Sequence, residues 1–122
     1  MKFNAQRDRT RYGKRHKPGV MNQTEEKYAE ILEADRLAGK IIMWHFEAVT
    51  FKLADGSRYT PDFMVHYVDG IIEFVDTKAA YRIDPDSMTK IKFAADKFPQ
   101  FIWTIEKRLA KKDGGGFERR EF

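Results

Sequence analysis

The run Ile71-Ile72-Glu73-Phe74-Val75, followed directly by Asp76-Thr77-Lys78, is apolar on both faces of an extended chain apart from Glu73 and Asp76. Successive side chains of a strand point to opposite sides, so a run of this kind has to be covered on both. It therefore requires a central strand with further layers above and below it. The surrounding sequence supplies them. A helix is predicted from about Asn22 to Ala38, stopped by Gly39, with Tyr28, Ala29, Ile31, Leu32 and Ala38 as its buried stripe. Strands are predicted at 46–53, 58–67 and 71–77, with Asp55-Gly56 and Asp69-Gly70 as hairpin signals.

Downstream, Asp84-Pro85-Asp86 opens a second helix that Pro99 closes, with Met88, Ile91, Ala95 and Phe98 on its apolar side and Lys90 and Lys97 opposite. Phe101-Ile102-Trp103-Thr104-Ile105 is a further strand, in which Trp103 is assigned to the core. A strand, helix, strand unit of this length favours a right-handed crossover and parallel pairing. Gly114-Gly115-Gly116 reads as a turn, after which Phe117 to Phe122 adds an edge strand. The expectation is an α/β fold, a mixed central sheet with flanking helices.

A chain of 122 residues makes one domain, and ten Phe, five Tyr and two Trp stock its core. It has no cysteine, which excludes disulfides, thiolate metal sites and a cysteine nucleophile, and fits a reducing cytoplasm. Without a signal core or an apolar run of membrane-spanning length, a soluble, unprocessed protein with no membrane partner is expected. Ser57 and Ser87 lie in no nucleophile elbow, and no Gly-rich phosphate loop is present.

The net charge of +4 is unevenly spread. Residues 1–20, ending at Lys17-Pro18-Gly19, carry a local +6, residues 107–122 carry +3, and the body between them carries −5. A basic flexible N-terminal arm over 1–20 is expected, then a single domain over 21–122 with a basic C-terminal tail from about 107. Basic ends on an acidic body suit phosphate-seeking arms on a metal-binding core, or else tails that only confer solubility.

Asp62 lies in Tyr59-Thr60-Pro61-Asp62-Phe63, and Asp76 and Lys78 are two positions apart on the central strand. Alternation places Asp76 and Lys78 on one face, and a neighbouring strand can bring Asp62 beside them. Two carboxylates suit a hard cation such as Mg2+, and the ammonium can polarise a water or steady developing phosphorane charge. That is the donor set of metal-dependent phosphodiester hydrolysis. Glu73 is turned away from this set by alternation and is expected to be an exposed or capped face residue.

The first helix holds Glu25 and Glu26. On a 3.6-residue period Glu25 lies ~70° from the stripe's centre and Glu26 ~170° from it, so Glu25 is the helix's candidate for the site. A capping box between Asn22 and Glu25 is the alternative role. Among the histidines, His16 falls in the arm, His45 sits beside Trp44, and His66 lies roughly 13 Å along its strand from Asp62; no two have ligand spacing.

A first-helix acid, then Pro61-Asp62, then Asp76-Thr77-Lys78, in the order helix, antiparallel strands, helix, strand, resembles the PD-(D/E)XK nuclease superfamily. The likeness runs from about Gln23 to Ile105, and its local match is to the phage junction-resolving endonuclease I enzymes. Asp76 stands where that family often has Glu, and Ala79 where a Gly often follows the lysine. The resemblance implies a restriction-endonuclease-like core, Mg2+ (or Mn2+) held by Asp62, Asp76 and the Thr77 carbonyl, Lys78 assisting the water and Glu25 completing the site. It also implies DNA, branched DNA above all, as substrate, and a homodimer. Phosphate contacts are expected from Arg7, Arg9, Arg11, Lys14, Arg15 and Lys17 of the arm. Tyr81, Arg82, Lys90 and Lys92, which follow the central strand, either line the phosphate track or form an ordinary helix surface.

Overall fold

The structure, a computed structural model, describes residues 19–80 and 84–122. Helix α1 (Gln23–Leu37) leads into β1 (Ile41–Phe46), a small hairpin of β2 (Phe51–Lys52) and β3 (Arg58–Tyr59), and then β4 (Phe63–Tyr67) and β5 (Ile72–Lys78). Helix α2 (Pro85–Lys97), β6 (Ile102–Arg108), a single 3-10 turn at Lys111–Asp113 and β7 (Phe117–Glu121) complete the chain. Five strands form one mixed sheet in the order β1-β4-β5-β6-β7, with β5 and β6 parallel and the other pairs antiparallel. The central position inferred for residues 71–77 is thus occupied by β5.

Both helices begin and end where the sequence chemistry places them. Asn22 caps α1 in a reciprocal capping box with Glu25, and at the other end Gly39, at φ 78°, lets its own N–H reach Arg36 O and that of Lys40 reach Asp35 O. Asp84 caps α2, with Pro85 in the first turn where its missing N–H costs nothing.

The alternation of β5 divides the core. Val75 joins Tyr28, Ala29, Leu32, Ile41, Phe63 and Val65 under α1. Phe74 joins Phe51, Leu53, Tyr59, Ile91, Ala94, Trp103 and Ile105 under α2 and the hairpin. Each large apolar side chain so buried contributes roughly 1.5–3 kcal/mol. Trp103 is 1% exposed and donates its indole N–H to Phe98 O at 2.8 Å, which fixes it as core.

Several expectations need correction. The strand placed at 46–53 is displaced: β1 lies ahead of it at Ile41–Phe46, Glu47 takes a left-handed φ of 50° and ends it, and within the expected range only Phe46 and the two residues of β2 are strand. The strand placed at 58–67 is broken at Thr60-Pro61-Asp62, where Pro61 has no N–H for a ladder. The chain leaves the main sheet between these points, folds the β2–β3 hairpin over the α2 side and returns at Asp62. The stripe of α1 is narrower than predicted: Ile31 is 43% exposed and Ala38 is also exposed, since both lie about 100° or more from the Tyr28-Ala29-Leu32 track.

The basic tail from about 107 is not a tail. Lys107 and Arg108 end β6, and Arg119 and Arg120 lie in β7. Glu73 is likewise not exposed. It is 0% exposed, pairs with Arg119 Nη1 at 2.7 Å, and accepts hydrogen bonds from the Tyr67 and Thr104 hydroxyls. A carboxylate fully removed from water costs several kcal/mol unless its oxygens are met in this way. Arg119 also reaches Glu106, whose carboxyl burial pushes up, and so fastens β7 to the sheet.

Candidate active site

Beyond its last pair with β4, Phe63↔Val75, strand β5 keeps β6 as its partner on one edge and leaves the other edge open towards the hairpin's return point. Here Asp62 and Asp76 are locked together. The Asp62 backbone N–H donates to Asp76 Oδ1 at 3.1 Å, while the Thr77 N–H and hydroxyl donate to Asp62 Oδ2 at 2.8 and 3.0 Å. A residue's N–H and C=O leave an extended strand on the same edge, so the Thr77 carbonyl is also directed to the Asp62 side. Lys78 shares the Asp76 face as alternation requires, with Nζ 4.0 Å from Asp76 Oδ2.

Tyr59 is a member of the site that sequence reasoning missed. Its hydroxyl donates to Asp76 Oδ2 at 2.6 Å from within the hairpin, and burial beside that carboxylate pushes its own pKa well up. It stands in the same Tyr59–Phe63 segment as Asp62, but only the fold of the hairpin over β5 brings it to Asp76.

Glu25 is 4% exposed whereas Glu26 is exposed, as the helical wheel requires. The capping-box role is the one formed, Oε1 accepting the Asn22 N–H at 2.8 Å, and the carboxylate is close enough for its charge to raise Asp62. With the stripe re-centred on Tyr28, Ala29 and Leu32, Glu25 falls within roughly 20° of its middle.

The electrostatics are those of crowded anions. Burial, and after it the charge of Glu25, push the Asp62 carboxyl up to about 7, against opposing hydrogen bonds from Thr77 and the charge of Lys78. Burial and then Asp62 push Asp76 up to about 6, against Lys78 and Tyr59. One ammonium does not offset this concentration of carboxylate, and a divalent cation would. The donor chemistry therefore fits Mg2+ or Mn2+, with Asp62, Asp76 and the Thr77 carbonyl as the oxygens that would hold it. Among the described residues no three His, Asp or Glu side chains are grouped to hold a metal on their own. The fit depends on two carboxylates supplemented by a backbone carbonyl and water.

Other candidates are dispersed. His45 is exposed on β1, and His66 is half-buried near the far end of β4. Lys90 is turned to the hairpin, donating to Arg58 O at 3.2 Å and pairing with Asp86 at 3.7 Å, while Lys92 is exposed on α2. Arg7, Arg9, Arg11, Lys14, Arg15, His16, Lys17, Tyr81 and Arg82 lie outside the described residues. No helix among the described residues is long and apolar enough to cross a membrane. No family model, curated protein or solved structure matches the chain.

Proposed function

We propose that the chain is a DNA endonuclease with a restriction-endonuclease-like core, hydrolysing phosphodiester bonds with Mg2+ or Mn2+ and preferring branched DNA. The observation that carries this reading is the pair of half-buried Asp62 and buried Asp76, held together through backbone N–H groups, with the Lys78 ammonium 4.0 Å from Asp76. A bound divalent ion would lower the pKa of a water and neutralise charge on a scissile phosphate. The chain's own residues have separate tasks. Asp62 and Asp76 would hold the cation; the Tyr59 hydroxyl and the Asp62 N–H fix the Asp76 oxygens so that they need not reorganise. Lys78 orients the water and steadies the phosphorane charge. Branched DNA is the proposed substrate because phosphates gripped by separated basic segments report shape rather than base sequence. A two-fold dimer is the simplest way for one-site chains to make paired cuts.

The test is a cleavage panel of linear duplex, single strand, flap and four-way junction, each with Mg2+ and with chelator. Cutting in Mg2+ alone, fastest on the junction, is expected. Binding without cutting in any metal would leave a DNA-binding module, and equal rates on all substrates would leave a nuclease indifferent to branching.

Glu25→Gln retains an amide oxygen for the Asn22 N–H, so the helix cap survives while the charge goes. Cleavage is expected to fall about tenfold, against less than about twofold for exposed Glu26→Gln. Steady-state rates with matched melting temperatures check this, and the reverse order removes Glu25 from the site.

A further inference from the structure

Beside Lys78, on the α2 face of the sheet, opens a cleft of about 360 Å³ between the ends of β5 and β6, the start of α2 and β7. Lys78 and Lys107 are register partners across β5 and β6, and Arg120 is paired with Ile105 across β6 and β7. Neighbouring strands lie about 4.8 Å apart, so the three cations are spread over roughly 10 Å. That is the scale of a sugar-phosphate unit rather than of a single small anion. The Arg120 guanidinium is steadied by the Phe122 ring at 4.8 Å, and among the described residues no ion pair engages Lys107. Met88 and Ile105 give the cleft an apolar floor, suited to a sugar or base.

Two acids also line it. Asp84 is committed to its own turn, accepting from the Asp86 N–H at 3.0 Å and the Ser87 hydroxyl at 2.9 Å. Glu118, exposed at the rim opposite Lys107, is the remaining counter-charge.

We propose that this cleft is a nucleotide-binding subsite in which Lys107 and Arg120 hold the phosphate next to the one cut, with the sugar or base resting on Met88 and Ile105. It rests on the nuclease reading for its purpose, because Lys78 belongs to both the cleft and the carboxylate pair. Its binding is measurable without turnover.

The full chain labelled with 13C-methyl methionine is titrated in chelator with thymidine 3′,5′-bisphosphate, the Met88 signal being assigned by its loss in Met88→Leu. The Met88 methyl is expected to shift and saturate. Lys107→Ala and Arg120→Ala are each expected to weaken binding about tenfold, as loss of a charge-assisted phosphate contact does. Glu118→Gln is expected to tighten it two- to threefold, roughly the effect of one partly screened charge. An unmoved Met88 signal, or alanine variants that bind as tightly as the original, overturns the subsite. DNA cleavage with an unchanged KM in both alanine variants overturns it too and leaves the nuclease reading standing. Saturable, Lys107-dependent binding by a chain that cuts no DNA upholds the subsite and removes the nuclease reading instead.

Discussion

Asp62→Ala, Asp76→Ala and Lys78→Ala are each expected to lower DNA cleavage by at least ~10²-fold while leaving DNA binding largely intact, because each removes a cation ligand or the partner of transition-state charge. Asp76 carries the strongest form of the claim. Its two oxygens are held by the Tyr59 hydroxyl, the Asp62 N–H and the nearby Lys78 ammonium, so its position is fixed before substrate arrives. Tyr59→Phe serves as the matched control. It keeps the ring in the Phe74–Trp103 cluster but frees one Asp76 oxygen, and a loss of kcat smaller than that of Asp76→Ala is expected. Cleavage near the original level in Asp76→Ala, measured in single-turnover assays with saturating Mg2+, would remove the proposed function.

The parts of this site that were legible beforehand are those set by short-range periodicity. Asp76 and Lys78 are two apart on a strand, so they had to share a face; Glu25 and Glu26 are about 100° apart on a helix, and the apolar stripe lies on the Glu25 side. The cap residues Asn22 and Asp84 and the Asp69-Gly70 turn were equally local. What escaped is what the chain assembles at a distance. Alternation correctly turned Glu73 away from Asp76, but whether that carboxylate is solvated or buried depended on Arg119, which arrives on the last strand. The net charge of residues 107–122 could not show that one of its three arginines, Arg119, is consumed internally. Tyr59 reads as one more aromatic in a strand until the backbone breaks at Glu47 and Pro61, lifting the hairpin onto the α2 face. A single left-handed residue and one missing N–H thus decide where the hydroxyl goes.

The largest effect on stability is expected from pH and metal together. Burial and the neighbouring carboxylates push Asp62 up to about 7 and Asp76 up to about 6, from the ordinary aspartate value of 3.8. The folded state therefore binds more protons than the unfolded one between about pH 4 and 7, and unfolding becomes easier as pH rises through that interval. At about 1.4 kcal/mol per pKa unit, even half of the pair's combined shift amounts to a few kcal/mol, or on the order of 10 °C in melting temperature for a domain of this size. Carboxylates shifted the other way, such as Glu33 at about 2, are ionised in both states above about pH 5 and do not contribute there. In chelator the melting temperature is thus expected to fall between pH 5 and pH 8. Mg2+ should restore it at pH 8 and have little effect at pH 5, where protons already occupy the pair. Asp62→Asn separates this from a general pH effect, because its amide oxygen can still accept the Thr77 N–H and hydroxyl while the charge is gone. That variant should melt about 5 °C or more above the original at pH 8 in chelator, lose most of the pH dependence and gain nothing from Mg2+. Scanning calorimetry at both pH values decides the matter. A melting temperature that rises from pH 5 to pH 8 in chelator, or an Asn variant that keeps the original slope, would mean that the two aspartates are not held as crowded anions awaiting a cation.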